Sequence, residues 1–254
     1  MKIIRSKENH IFKSTLRLLK KKYRDETGQY LLEGVKPLED AFGTGADIRT
    51  VFLCEGGSPG IDTGLTETII LSRELFEKLS STETTQGVIA VVRKRNCTAA
   101  DFERIVGSGN VLVMDRVQDP GNIGTMIRTA EAAGYKGIML TAGTADIYAP
   151  KVVRAAAGSL FRMPVISAGG SEAAAELIRR MGKKLTVTCP DNGINCFEAD
   201  MSSDIALVIG NEGRGVSSGF MERADIKVKI PMEGSIESLN AAVAAGILMY
   251  QSQR

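Results

Sequence analysis

The feature that most limits how this chain can fold is a series of short strands in its second half that stay apolar along their length. They are read at Val111–Met114, Gly137–Leu140, Met163–Ile166, Lys184–Val187, Asp204–Ile209 and Ile226–Ile230. Runs without polar alternation imply strands buried on both faces, as in a parallel sheet flanked by helices. Helices are predicted between them at Ile123–Ala133, Lys151–Ala157 and Glu172–Met181, near Val216–Arg223, and at the end of the chain from Ser238 or Leu239 onward. Open parallel sheets bind ligands beyond the carboxyl ends of their strands, so the loops that follow the strands are where chemistry is expected.

The first ninety residues also alternate. Ile11, Thr15, Leu16 and Leu19 recur at helical spacing and predict a helix over residues 9–22. Strands follow at Tyr30–Gly34, Thr50–Cys54, Thr68–Leu71 and Gly87–Val92, with helices at Pro37–Phe42 and Arg73–Leu79. The polar stretch Arg93–Ala100 reads as a boundary, which divides the chain into a small α/β domain, 1–97, and a larger one, 98–254.

With 254 residues, 43% hydrophobic and 24% charged, the composition is that of a globular protein. No apolar run reaches the ~18 residues that cross a bilayer. Met1–Lys7 lacks the apolar core of a secretion signal, so a cytoplasmic location is expected. Cys54, Cys97, Cys189 and Cys196 are scattered, and His10 is the only histidine. No metal site is therefore expected, and nucleophile schemes built on a histidine base are hard to assemble.

A net charge of +2 hides an asymmetry: nine Lys and Arg against Glu8 alone, an excess of +8, fall within residues 1–24. Lys13, Arg17, Lys20, Lys21, Lys22 and Arg24 are the expected RNA-binding residues, since such a cluster attracts phosphate.

Three loops carry the chemistry. In Asp115–Arg128, Asn122 opens a helix and Arg128 lies six residues on, expected near the same face. In Gly210-Asn-Glu-Gly-Arg-Gly215, the glycines let backbone approach a ligand and Glu212 stands among them. The third runs from Ile230 through Met232 to Ser238 and Asn240, where free N–H groups at a helix start can meet an anion or carbonyl. Neither GxGxxG after a strand nor GxxxxGK[ST] occurs, which disfavours dinucleotide and P-loop sites.

Asn122-Ile-Gly-Thr-Met-Ile-Arg128, Gly210-Asn-Glu-Gly-Arg-Gly-Val-Ser217 and Ile230-Pro-Met-Glu-Gly-Ser-Ile-Glu-Ser-Leu-Asn240 resemble, in order, the three motifs of the TrmH (SpoU) family of RNA ribose 2′-O-methyltransferases in the SPOUT superfamily. Tyr30–Gly34 and Ser80–Ala90 are similar to the L30e-like substrate domain that many members carry. The resemblance implies an α/β fold: a parallel-sheet SPOUT domain with its C-terminal part in a deep trefoil knot, preceded by a small L30e-like α/β domain. It implies S-adenosylmethionine as cofactor, held by Thr141, Ala142 and Gly143, by Gly210 and Asn211, and by Ile230, Met232, Ser238, Leu239 and Asn240. It also implies a homodimer, with the terminal helix near the interface and the site completed across it.

By the same resemblance Arg128 is the essential arginine, Asn122 and Asn240 fix the loops or the ribose, Ser238 caps the terminal helix, and Glu212 anchors Arg128 or a partner loop. Large-subunit ribosomal RNA is the expected substrate. The alternatives are a tRNA substrate, a non-catalytic RNA-binding protein of the same fold, and an unrelated small-molecule enzyme.

Overall fold

The computed structural model describes residues 1–202, 204–233 and 238–253, so part of the polar loop expected before the last helix, 234–237, lies outside the described residues. The chain divides into two compact units: Met1–Asn96 with Asp146–Arg162, and Cys97–Ala145 with Met163–Arg254.

In the first unit the chain forms β1 (Lys2–Ile4), α1 (His10–Arg17), α2 (Lys21–Thr27), β2 (Gln29–Glu33), α3 (Val35–Gly43), β3 (Ile48–Cys54), β4 (Glu67–Leu71), α4 (Arg73–Leu79) and β5 (Val88–Arg93). The sheet runs β1-β4-β3-β5-β2, and Phe12, Phe52, Ile69, Phe76 and Ile89 fill its core. The single helix expected over residues 9–22 is two. Asn9 caps α1 by accepting from Ile11 N at 2.9 Å, and α2 stops at Gly28, whose φ of 64° suits a residue without a side chain. β1 was not expected, because only Ile4 of its three residues is buried.

The second unit opens with α5 (Ala99–Val106), capped by Thr98 within the stretch read as a linker. β6 (Val111–Met114), α6 (Pro120–Ala132) and β7 (Gly137–Leu140) follow. The chain next forms α7 (Pro150–Ala155) and α8 (Ser159–Arg162), which belong to the first unit. It continues as β8 (Val165–Ser167), α9 (Ser171–Arg180), β9 (Lys184–Thr188), β10 (Ile194–Asn195), β11 (Ile205–Ile209), α10 (Ser218–Met221), β12 (Ile226–Lys229) and α11 (Ala241–Gln251).

The second sheet has the order β10-β12-β9-β11-β6-β7-β8 and every pair in it is parallel. All residues of β6 and β11 are buried, as their apolar runs require. β12 inserts between β9 and β10, two strands consecutive in sequence. The turn joining those two lies so close that a Cβ on Gly193 would stand 2.5 Å from Val228 C. A late strand seated under an earlier connection is the strand order that the expected knot calls for.

Residues 146–162 pack with the first unit because their polar groups find partners there. Arg24 meets Asp146 in a buried ion pair at 2.7 Å, the Tyr148 ring lies 4.8 Å from that of Tyr30, and Arg154 Nη1 donates to Ser81 Oγ at 3.0 Å. Among the described residues no helix is long and apolar enough to cross a membrane.

Candidate active site

The first loop is organised by Asp115, a carboxylate only 1% exposed at the carboxyl end of β6. Its Oδ1 accepts from Thr141 Oγ1 at 2.9 Å, and its Oδ2 accepts from Ser217 N at 2.7 Å and Ser217 Oγ at 2.5 Å. A buried charge is tolerated only when hydrogen-bonded in this way. It fastens the start of the first loop to the end of the second.

The second loop, Asn211–Gly215, closes on itself. Asn211 N donates to Gly215 O at 3.1 Å and Gly215 N to Asn211 O at 2.9 Å, while Asn211 Oδ1 accepts from Gly213 N and Arg214 N. Asn211 Nδ2 also donates to Arg116 O at 2.9 Å. Gly210 is required because a Cβ there would lie 2.5 Å from Gly215 O, a backbone atom with nowhere to move.

At the tip of that loop Glu212 accepts from Asn122 Nδ2 at 3.1 Å and from the N–H groups of Gln118 and Asp119 at 3.2 Å each. Burial pushes its carboxyl upward, but hydrogen bonds from its own N–H, from Asn122, and from Asp119 and Gln118 outweigh that and hold it below the ordinary carboxylate range.

The third loop joins through Asn240. Its Nδ2 donates to Asn122 Oδ1 at 2.9 Å, and its own Oδ1 accepts from Ala242 N at 2.9 Å and Val243 N at 3.3 Å. Asn240, Asn122 and Glu212 thus form a continuous chain that links all three loops.

Several expectations are corrected. Asn122 does not open the helix; α6 starts at Pro120 behind Asp119, whose side chain caps it by accepting from Asn122 N at 2.8 Å. α11 opens at Ala241 behind its cap Asn240, so Ser238, which is exposed, is not the cap of the terminal helix. Glu212 anchors the first loop and not Arg128. Six residues are about 1.7 helical turns, which separates Arg128 from Asn122 around α6. Asn122 is 9% exposed, while Arg128 is exposed and makes no hydrogen bond or ion pair among the described residues.

Thr141–Gly143 and Ile230 flank Gly210 from opposite directions: Gly210 follows β11, Ile230 follows β12 two strands to one side, and Thr141 follows β7 two strands to the other. The backbone groups of this segment are engaged locally: Thr141 N donates to Met114 O, Ala142 N to Gly169 O, and Gly143 O accepts from Gln118 Nε2. Sequence reasoning missed the turn after β9, beginning at Cys189, which strand order alone places beside Gly210 and Ile230. It also missed Asp115 and Ser217, whose signal was a single acid at the end of an apolar strand.

Met232 and Leu239, within the third loop, are apolar side chains each 37% exposed. Apolar walls and backbone groups at the carboxyl ends of β9, β11 and β12 are a donor set that fits an adenosyl ligand. A surface cavity of about 530 Å³ lined by Glu176, Lys184 and Asp225 sits at the opposite, amino ends of β9 and β12.

In the first unit, Lys13, Arg17, Lys20, Lys21 and Lys22 are exposed on α1, α2 and the turn between them. Lys13 pairs with Glu8, Lys21 with Asp25 at 2.6 Å, and Lys22 with Glu26 at 3.8 Å, while Arg17 lies over the Tyr23 ring at 5.4 Å. Such surface pairs are worth ~0–1 kcal/mol, so phosphate can displace the carboxylates. Arg24 does not belong with them. It is 4% exposed and bound to Asp146 and to Leu18 O, so it is a structural residue.

Comparison with known proteins bears on this geometry. A model described as the SpoU rRNA Methylase family matches residues 109–250, and one described as an MRM3-like substrate binding domain matches residues 9–90. The 23S rRNA (guanosine(2553)-2'-O)-methyltransferase RlmP of Bacillus subtilis (strain 168) is 38% identical over 252 residues, 98% of each chain. The 23S rRNA (uridine(2479)-2'-O)-methyltransferase of Streptomyces viridochromogenes is 34% identical over 245 residues, 91% of this chain and 84% of that one. The AdoMet-bound rRNA methyltransferase from Sinorhizobium meliloti matches with a TM-score of 0.89 over 99% of this chain and 97% of that one, at 29% identity. The parallel sheet of the second unit is therefore the SPOUT methyltransferase sheet, and the chain belongs to the SpoU rRNA methylase family.

Proposed function

We propose that the protein transfers a methyl group from S-adenosylmethionine to a ribose 2′-hydroxyl of 23S ribosomal RNA. The observation that carries this reading is the chain Asn240–Asn122–Glu212, which gathers the three loops into one rigid wall beside the carboxyl ends of β11 and β12. The relatives' names support ribosomal RNA over tRNA as substrate.

A ribose hydroxyl is a weak nucleophile, and the donor supplies a carbon already activated by its positively charged sulfur. As the new O–C bond forms, the C–S bond breaks and the hydroxyl proton leaves. The protein's task is alignment and stabilisation of the developing alkoxide. Gly210, Ile230, Met232 and Leu239, with the turn after Thr188, hold the donor. Asn122 is locked in one amide orientation, since Nδ2 donates to Glu212 and Oδ1 accepts from Asn240. That fixes the wall against which the ribose is oriented.

Arg128 binds the phosphate next to the reacting ribose and steers the hydroxyl. An arginine stays protonated at all working pH values, so the proton passes to phosphate or water and not to Arg128. Because Arg128 is exposed and outside the Asn122–Glu212 chain, it serves the site across a homodimer interface. The terminal helix supports such an interface, with Val243 and Tyr250 on it 52% and 55% exposed. Lys13, Arg17, Lys20, Lys21 and Lys22 hold the RNA more broadly, and the location is cytoplasmic.

The test is transfer of labelled methyl to deproteinised 23S rRNA and to bulk tRNA, with donor binding measured separately by calorimetry. Label entering 23S rRNA alone supports the reading. Label in tRNA alone reassigns the substrate, and donor binding without transfer to any RNA would leave a binding protein.

A further inference from the structure

Two arginines are used in opposite ways. Each nitrogen of Arg24 has a partner: Nε and Nη2 reach Asp146 Oδ2 at 2.8 and 2.7 Å, and Nη1 donates to Leu18 O at 2.7 Å. Arg116, in the first loop, is barely engaged. Among the described residues only its Nη2 finds hydrogen-bond acceptors, Gly215 O at 3.2 Å and Asp115 Oδ2 at 3.4 Å. Its Nε is closed off from solvent with no hydrogen-bond acceptor, although Asp115 Oδ1 lies 3.4 Å away. Asp115 does not need it, because Thr141 and Ser217 already supply three bonds of 2.5–2.9 Å.

The backbone adds a second observation. Arg116 has φ 59°, held by its N–H donating to Thr141 Oγ1 and Thr144 Oγ1 at 3.1 Å each and by its carbonyl accepting from Asn211 Nδ2. Glycine adopts this conformation freely, whereas an L side chain adopts it at a cost. The fold therefore bears a strained residue to place a guanidinium that the fold hardly uses. The Arg116 side chain is one-third exposed, beside the second loop and with its stem over Gly143.

We infer that Arg116 is an RNA phosphate-binding residue, poised where the first and second loops meet and drawn from its loose resting contacts onto a phosphodiester of the substrate. A phosphate offers two oxygens to the planar fork at full hydrogen-bond distance, in place of the Gly215 carbonyl at 3.2 Å and the Asp115 carboxylate at 3.4 Å. This assignment rests on the methyltransferase reading. The carboxylate of the methyl donor has the same fork geometry, and the experiment separates the two sources.

The decisive variant is Arg116→Gly, which removes the arm and relieves the backbone; Arg116→Lys keeps the charge without the fork. Affinity for a 23S rRNA fragment is measured across a salt series, donor affinity by calorimetry, and folding by thermal melting. Arg116→Gly relieves the backbone but also removes the ion-pair partner of buried Asp115, so its melting serves as the check that it is folded at the assay temperature. It is expected to bind RNA about ten-fold more weakly, with a salt slope smaller by about one. Its donor affinity should stay within about two-fold of the wild type, and Arg116→Lys should recover part of the RNA affinity. Unchanged RNA affinity in the folded variant overturns the inference, as does a loss confined to donor affinity. Failure of the wild type to methylate any RNA strikes the methyltransferase reading instead, and is seen before any variant is compared.

Discussion

Asn240 Nδ2 donates to Asn122 Oδ1 at 2.9 Å across 118 residues of sequence, and through that one bond the cap of the terminal helix is tied to the first turn of α6. The same asparagine amide must then donate to Glu212, so neither amide can flip without breaking a bond. Asn122→Asp is the sharpest probe of this arrangement. It keeps the acceptor for Asn240 but turns a second carboxylate toward Glu212. Single-turnover methyl transfer is expected to fall by about 10²-fold, the scale of a misplacement near 1 Å, with donor affinity changed far less.

Glu212 sets an acid limit with a definite sign. Its carboxyl lies below the ordinary range in the folded state. The stability it contributes is therefore complete above the unfolded value of about 4.3 and is lost as pH falls through the lower folded value. Glu212→Gln should be less stable than wild type near pH 7, and the gap should narrow as the pH drops from about 5 to about 3. Unfolding midpoints followed by circular dichroism across that range check it. A gap that widens toward acid contradicts the assignment.

Gly210→Ala tests the closure of the second loop. The added methyl would meet the backbone of Gly215 and Val216 and not a flexible side chain, so the loop must open. Destabilisation of about 1–3 kcal/mol or more is expected, together with loss of donor binding in whatever folds. Calorimetry of the refolded variant reads the second part directly.

Arg24 and Asp146 are both nearly removed from water, at 4% and 10% side-chain exposure. Arg24→Met alone leaves an uncompensated buried carboxylate and is expected to cost about 3–5 kcal/mol. The double variant Arg24→Met with Asp146→Leu should recover most of that, because both desolvation penalties vanish together. Urea unfolding of the three proteins decides it. A double variant as unstable as the single would show that the charges are needed for more than each other.

The strands of the second unit were legible because burial on both faces leaves an unbroken apolar run, as in Val111–Met114 and Ile205–Ile209. What periodicity could not show was how the strands are ordered. Placing β9 between β11 and β12 is a tertiary fact, and it brings the turn at Cys189 between Gly210 and Ile230. Charge counting likewise could not tell Arg24 from Lys20–Lys22, since only a partner 122 residues away turns Arg24 inward. Asn122 was legible as a helix-start residue but not as a non-cap. Asp119 takes the cap three residues earlier, accepting from Asn122 N, with Pro120 next to it in the first turn.

The account stands or falls on where the methyl group goes. Wild-type protein, S-adenosylmethionine and unmodified 23S rRNA should give one 2′-O-methylated nucleoside when the RNA is digested and mapped by mass spectrometry, and Asn122→Asp should give far less of it in the same time. Methyl found on a base, or donor bound with no methylated ribose in the RNA, would contradict it.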